Sequence, residues 1–246
     1  MPFDLAPGIA AYLACALLGA AIIRGYTGFG FSAIVIACAA LVTNPLPLMP
    51  VVFLCEIAMT ALQARGIRGH VDWSRALALL GGAAVALPLA VTTMLTLPAE
   101  AVRLLVSAVI GALALLMLTG WTLQRPLGRA GHIAVGTIAG AANAAGVGGL
   151  PVAACLGAQN IPPATFRATM IVFLTGIDLM TLPLLGLGGQ ITQATFVAAL
   201  IAAPLLAIGI LLGNRRFAAA PPAAFRRLAT WLLMALSALG LIRALI

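Results

Sequence analysis

The sequence has no lysine and only five acidic residues, so all 13 basic residues are arginine. Charged residues fill 7% of 246 positions and hydrophobic ones 63%, where a soluble domain carries about 25% charge. So little charge cannot cover a water-facing surface, which excludes a soluble fold. The mean hydropathy of +1.19 points to a polytopic membrane protein in a lipid bilayer. Cys15, Cys38, Cys55 and Cys155 lie in apolar segments with no CxxC pair. They read as small buried hydrophobes, not as disulfides or metal ligands. His70 and His132 stand alone in loops without an HExxH spacing, so no metal and no cofactor are expected. No basic run is interleaved with aromatics, so no nucleic-acid partner is expected either. The start, MPFDLAPG, carries Asp4 in place of a basic n-region. The first apolar segment is therefore expected to be retained.

A spanning helix needs about 20 apolar residues. Segments near 47–64, 74–95, 101–121, 163–185, 192–212 and 224–245 meet that length. Stretches near 8–24, 31–43, 130–144 and 150–160 are shorter and come in two pairs. Each pair flanks a glycine-rich break. The first break is RGYTGFGFS, with Gly25, Gly28 and Gly30; the second is NAAGVGGLP, with Gly146, Gly148, Gly149 and Pro151. Lipid offers no hydrogen bonds, so irregular backbone survives at membrane depth only inside protein or beside a water-filled cavity. Two such breaks at matching places in two halves point to a transporter's substrate site.

The halves match further. Asn44-Pro45 corresponds to Pro162-Pro163, and Pro98 with Arg103 to Pro222 with Arg227. Proline suits these places because it starts a helix without needing its missing N–H. Arginine placement gives orientation. Arg65, Arg68 and Arg75, then Arg125 and Arg129, then Arg215, Arg216, Arg226 and Arg227 mark cytoplasmic loops. The loops near 96–100 and 186–192 are nearly free of charge and face outward. The expected fold is an all-α membrane protein of two inverted-topology repeats, residues 1–122 and 123–246. Each repeat is a glycine-broken hairpin of short helices followed by three spanning helices.

With these motifs the chain resembles the TauE/SafE sulfite exporter family, also called TSUP. The resemblance rests on GYTGFG from Gly25 to Gly30, GVGGLP from Gly146 to Pro151, and PPATFRAT from Pro162 to Thr169. It implies export or uptake of sulfur-containing anions such as sulfite or organosulfonates.

Four ionisable residues lie in or beside spanning segments. A guanidinium at Arg24 offers two parallel N–H···O bonds to a sulfonate or sulfite. Glycine N–H groups at the following helix starts would add partial positive charge. The alternative is an Arg24 paired with a carboxylate for structure. Arg167, in the RAT stretch, either meets substrate at the inner mouth or snorkels to headgroups. Asn143 either donates to an anion or satisfies carbonyls of the broken helix. The expected anion site is therefore Arg24, Gly28, Gly30, Asn143, Gly146, Gly148, Gly149 and Arg167. Glu56 with Thr60 and Gln63 forms one polar stripe, and Asp178 with Thr175 and Thr181 a second. Glu56 and Asp178 either carry a coupling proton or neutralise arginines on other helices.

The leading function is a secondary transporter of a small anion in a bacterial inner membrane. A small-anion channel is the nearest alternative. A membrane enzyme would need a nucleophile–base pair, a metal set or a redox cysteine pair, and none is present in the sequence. The topology is testable by single cysteines at Ser74 and Gln190 in a background lacking the four native ones. An impermeant reagent should label them from opposite sides; labelling of both from one side would reject the inverted arrangement.

Overall fold

The computed structural model describes residues 5–119, 127–159 and 161–217, with Phe3, Trp231, Met234 and Ala238. The described residues form nine α-helices: α1 (Pro7–Thr27), α2 (Phe31–Val42), α3 (Met49–Ile67), α4 (Trp73–Thr96), α5 (Ala99–Leu118), α6 (Arg129–Asn143), α7 (Gly149–Gly157), α8 (Pro163–Leu187) and α9 (Gln193–Phe217). Six described helices are long and apolar enough to cross a membrane. The span expected over 224–245 lies almost wholly outside the described residues. So do Arg125, Pro222, Arg226 and Arg227.

Helix boundaries follow the breakers. Pro7 opens α1 in its first turn, and Gly28 ends it in the left-handed region at φ 84°, its N–H donating to the Arg24 carbonyl at 2.8 Å. Gly30, at φ 91°, precedes α2. A side chain at either φ would be strained, which glycine avoids. Thr27 ties the turn: its hydroxyl donates to the Ile23 carbonyl at 2.9 Å and accepts from the Phe29 N–H at 3.2 Å. The second break turns at Gly146, φ 73°, whose N–H reaches the Asn143 carbonyl at 2.9 Å. Asp72 caps α4, accepting from the Arg75 N–H at 3.0 Å, and pairs with the Arg75 guanidinium. Burial pushes the Asp72 carboxyl up, but these contacts with Arg75 outweigh it and hold it below its ordinary value. The Asp72 N–H donates to Thr169 Oγ1 at 3.0 Å, tying the start of α4 to α8.

Two expectations need correction. The stretch near 8–24 is not a short helix: α1 runs 21 residues and spans by length. Ending the apolar segment before the Arg24 charge shortened it, yet protein surrounds Arg24 and the helix continues to Thr27. His132 is not in a loop. It lies in the first turn of α6, buried, with Nδ1 2.9 Å from the Gly128 carbonyl and Nε2 3.4 Å from the Gln159 amide nitrogen. Gln159, just beyond α7, and Asp72, at the start of α4, lie near the ring.

The halves are interleaved. Helix α1 lies along α9, α6 lies along α4, and α3 packs on both α8 and α9. One apolar core joins these helices. The two tightest pairings rest on glycine. A Cβ on Gly82 of α4 would stand 2.0 Å from the Ile133 carbonyl oxygen of α6. One on Gly136 of α6 would stand 2.0 Å from the Leu79 oxygen of α4. On the other side, a Cβ on Gly213 of α9 would stand 2.3 Å from the Ile22 oxygen of α1. Small residues let helix backbones approach where lipid supplies no hydrophobic drive for association.

Gly81 and Gly82 separate this packing from helix propensity. A Cβ at Gly81 meets nothing within 4 Å. Gly82→Ala should cost about 1–3 kcal/mol by overpacking and lower the melting temperature of the purified protein. Gly81→Ala should hold or raise it, because alanine favours a helix interior by up to about 1 kcal/mol. Equal melting temperatures would refute the close α4–α6 approach.

Candidate functional site

Arg24 sits in the last turn of α1, 0% exposed. An arginine at mid-membrane costs about 2.5–3.5 kcal/mol on insertion scales, and here protein supplies its partners. Nη1 donates to Glu56 Oε1 of α3 at 2.7 Å. Nη2 donates to Thr60 Oγ1 at 3.1 Å and, at the limit of hydrogen-bond length, to the Glu56 carbonyl at 3.5 Å. Nε has no hydrogen-bond partner among the described residues. Glu56 is 1% exposed, so this is a fully buried ion pair. The Thr60 and Thr175 hydroxyls meet at 2.7 Å and join α3 to α8.

Asp178, midway along α8, is 0% exposed. Its carboxyl lies beside the side chains of Glu56 and Asn143. Neither oxygen is in a directed hydrogen bond with a described residue. Asn143, the last residue of α6, donates from Nδ2 to Thr181 Oγ1 at 2.9 Å and accepts the Gly148 N–H on Oδ1 at 3.3 Å. It therefore closes the second break by accepting the Gly148 backbone N–H on its side-chain oxygen.

Arg167 is half-buried near the start of α8, and its Nη2 donates to the Gly25 carbonyl at 2.6 Å and to Asn214 Oδ1. Gln63 Nε2 reaches the same Asn214 oxygen at 3.4 Å. Arg167 stands close enough to Arg24 for their charges to repel. It lies eleven residues before Asp178, about 16 Å along the helix, so the two make no direct pair.

These contacts form a buried polar file. It starts at Arg167, Asn214 and Gln63, passes Arg24, Glu56, Thr60 and Thr175, and ends at Asp178, Asn143 and Thr181. The two breaks meet this file at different levels. A Cβ on Gly28 would stand 2.8 Å from Arg167 Cγ, and one on Gly148 2.6 Å from Asn143 Oδ1. Gly30, Gly146 and Gly149 face apolar side chains instead: Ile23, Ile36 and Leu174. The expected site residues are thus brought together in two groups, Arg24 with Glu56, and Asn143 with Asp178. Arg167 stands at the mouth of the first break. Asn214 was not foreseen, because GNRR reads as a loop entry while α9 continues through it. A separate cavity of about 330 Å³ between α1, α2, α3 and α9 has a wholly apolar lining that includes Leu13, Leu17, Val35, Val51, Ile201 and Leu205. It offers an anion no donor.

Fold and site define a polytopic helical membrane protein with an ionised core. A family model described as Sulfite exporter TauE/SafE matches residues 12–240, and the chain belongs to that family, a family of membrane transporters. Comparison with curated proteins and with solved structures gives no match.

Breaking a buried ion pair by removing one partner leaves an uncompensated charge, at a cost of about 3–5 kcal/mol. Replacing both partners by apolar residues leaves none. Arg24→Met should therefore sharply lower the stability of the detergent-solubilised protein against denaturant. Arg24→Met combined with Glu56→Met should recover most of the loss. Additive losses would mean that the two side chains are not coupled.

Proposed function

We propose that this protein is a secondary transporter of small sulfur-containing anions, such as sulfite or organosulfonates. It works in a bacterial inner membrane by alternating access between two inverted repeats. The observation that carries this reading is the buried polar file on which both glycine breaks converge. A scaffold has no need to bury an arginine, two carboxylates and an asparagine among apolar helices, with a second arginine half-buried beside them. The family supports the substrate class and the transporter role. The helix partnering supports the repeat: α1 on α9 is matched by α6 on α4, and α3 on α9 by α8 on α4.

The chemistry suits an oxyanion. Arg24, in the helix turn before the first break, and Arg167, which donates to the Gly25 carbonyl and packs against Gly28, both bring positive charge to that break. Arginine binds an oxyanion through a planar fork, which a lysine cannot copy. Asn143 and the hydroxyls of Thr60, Thr175 and Thr181 provide neutral donors further along the file. Glu56 and Asp178 are the acidic groups within the file, and they couple anion movement to a proton.

Purified protein in liposomes tests the reading. Vesicles loaded with unlabelled sulfite should accumulate labelled sulfite by saturable counterflow. Sulfoacetate and taurine should compete better than simple carboxylates. Flux that rises linearly with concentration, without counterflow, would identify a channel. Preference for carboxylates would reject the sulfur-anion class.

A further inference from the structure

The fully buried part of the file holds one guanidinium and two carboxyl groups. Arg24 is spoken for by Glu56 at 2.7 Å. Asp178 stands against Glu56 with no N–H or O–H donated to it by a described residue in good geometry. Asn143 lies beside it, but its amide is already bonded to Thr181, and the nearby Arg24 charge is already engaged by Glu56. A buried carboxylate with no counter-charge of its own and no well-directed donor takes a proton, and two adjoining carboxylates cannot both ionise cheaply. Arg167 does not cancel the second charge. It is partly exposed at the mouth, about 16 Å from Asp178 along α8. The other groups around Glu56 do not do so either. The Cys55 thiol adjoins it on α3. Helix α2 has no charged residue. Arg215 of α9 stands in its last turn, beyond Asn214, and α6 brings the neutral Asn143 amide.

We propose that Glu56 and Asp178 hold one proton between them, and that a substrate anion binds by taking the place of Glu56 at Arg24, whereupon Glu56 takes up a second proton. The proposal rests on the transporter reading and adds its stoichiometry. Before binding, the buried set is Arg24⁺, one carboxylate and one carboxylic acid, with net charge zero. A monoanion paired to Arg24 leaves Glu56 without a counter-ion. A proton from the water that admits the anion then neutralises it. The occupied set is Arg24⁺, the anion and two carboxylic acids, again with net charge zero. One proton therefore enters with each monovalent anion and leaves with it, and the loaded step moves no net charge. The Arg24 Nε–H, without a hydrogen-bond partner among the described residues, gives the arriving anion a first donor before Glu56 is displaced.

Two measurements test this, one needing no ligand. Infrared spectroscopy of the resting protein should show the C=O stretch of one buried carboxylic acid, and that band should vanish in Asp178→Asn. Its absence from the unmodified protein overturns the shared proton. The second measurement uses ethanesulfonate, whose charge does not change with pH. Titration calorimetry in buffers of different ionisation enthalpy should report one proton taken up per anion. The dissociation constant should weaken about tenfold per pH unit on the alkaline side. In Glu56→Gln combined with Asp178→Asn, which leaves no carboxyl to take up the proton, this pH dependence should flatten. Because Arg24 then lacks its counter-ion, ethanesulfonate should raise the melting temperature more than in the unmodified protein. Anion binding without proton uptake overturns the exchange step while leaving the transporter reading intact. If neither ethanesulfonate nor sulfite binds, the transporter reading falls and the exchange step with it, and the infrared band alone decides the shared proton.

Discussion

An ionised arginine in the middle of a membrane protein must be answered by other parts of the chain, and Arg24 is answered from α3. Its fork engages Glu56 and Thr60 together, and Thr60 meets Thr175 of α8. One guanidinium thus ties α1, α3 and α8 through three contacts shorter than 3.2 Å. Glu56 would otherwise be an isolated charge among apolar helices, while the two threonine hydroxyls also bond to carbonyls of their own helices. The pair gives little net stability, since desolvation offsets much of its attraction. Its effect lies in specificity, because helices that dock in another register leave Arg24 or Glu56 buried and alone. That is a hypothesis for this chain, and the paired Arg24 and Glu56 replacement addresses it.

Glycine provides the second constraint. The α4–α6 and α1–α9 pairs approach until backbone touches backbone, with no room for a methyl group at Gly82, Gly136 or Gly213. This packing carries the two broken hairpins. Each first hairpin helix, α1 or α6, is clamped against a long helix of the other half. The breaks at their ends are thereby held against the polar file. Irregular backbone at that depth persists because it is enclosed by protein: residues 24–40 and 142–153, apart from Ala141 just before the second stretch, are buried throughout.

Much of this was legible in the sequence. Scarce charge and long apolar runs gave the class, and glycine and proline punctuated the chain where helices end. Gly28, Gly30 and Gly146, legible as helix breaks, adopt left-handed backbone. The polar residues Arg24, Glu56, Asn143, Arg167 and Asp178 stood out because each is costly in lipid. Their partners were not legible, because pairing depends on helix rotation and long-range contact. The stripe Glu56, Thr60, Gln63 has one face in sequence, yet its members meet three different helices: Arg24 of α1, Thr175 of α8 and Asn214 of α9. His132 was misplaced for a related reason. A lone polar residue near a helix start looks like loop, and its burial depends on contacts far away in sequence, with Gln159 beyond α7 and with the start of α4.

On the proposed two-repeat reading the frame repeats, but the chemistry on it does not. The last turn before the first break carries Arg24, a full charge with a carboxylate partner. The helix end before the second break carries Asn143, a neutral amide bonded to Thr181 and Gly148. The helix turns that lead into the two breaks thus present a cation in one half and a dipole in the other. On the proposed reading this difference gives direction to a symmetric scaffold. A strictly symmetric site would offer an anion the same strength of hold at both breaks, and leaving one would require equal work at the other. With the charge at one break only, the anion's strongest partner is Arg24. The second break need only supply donors weak enough to let it go.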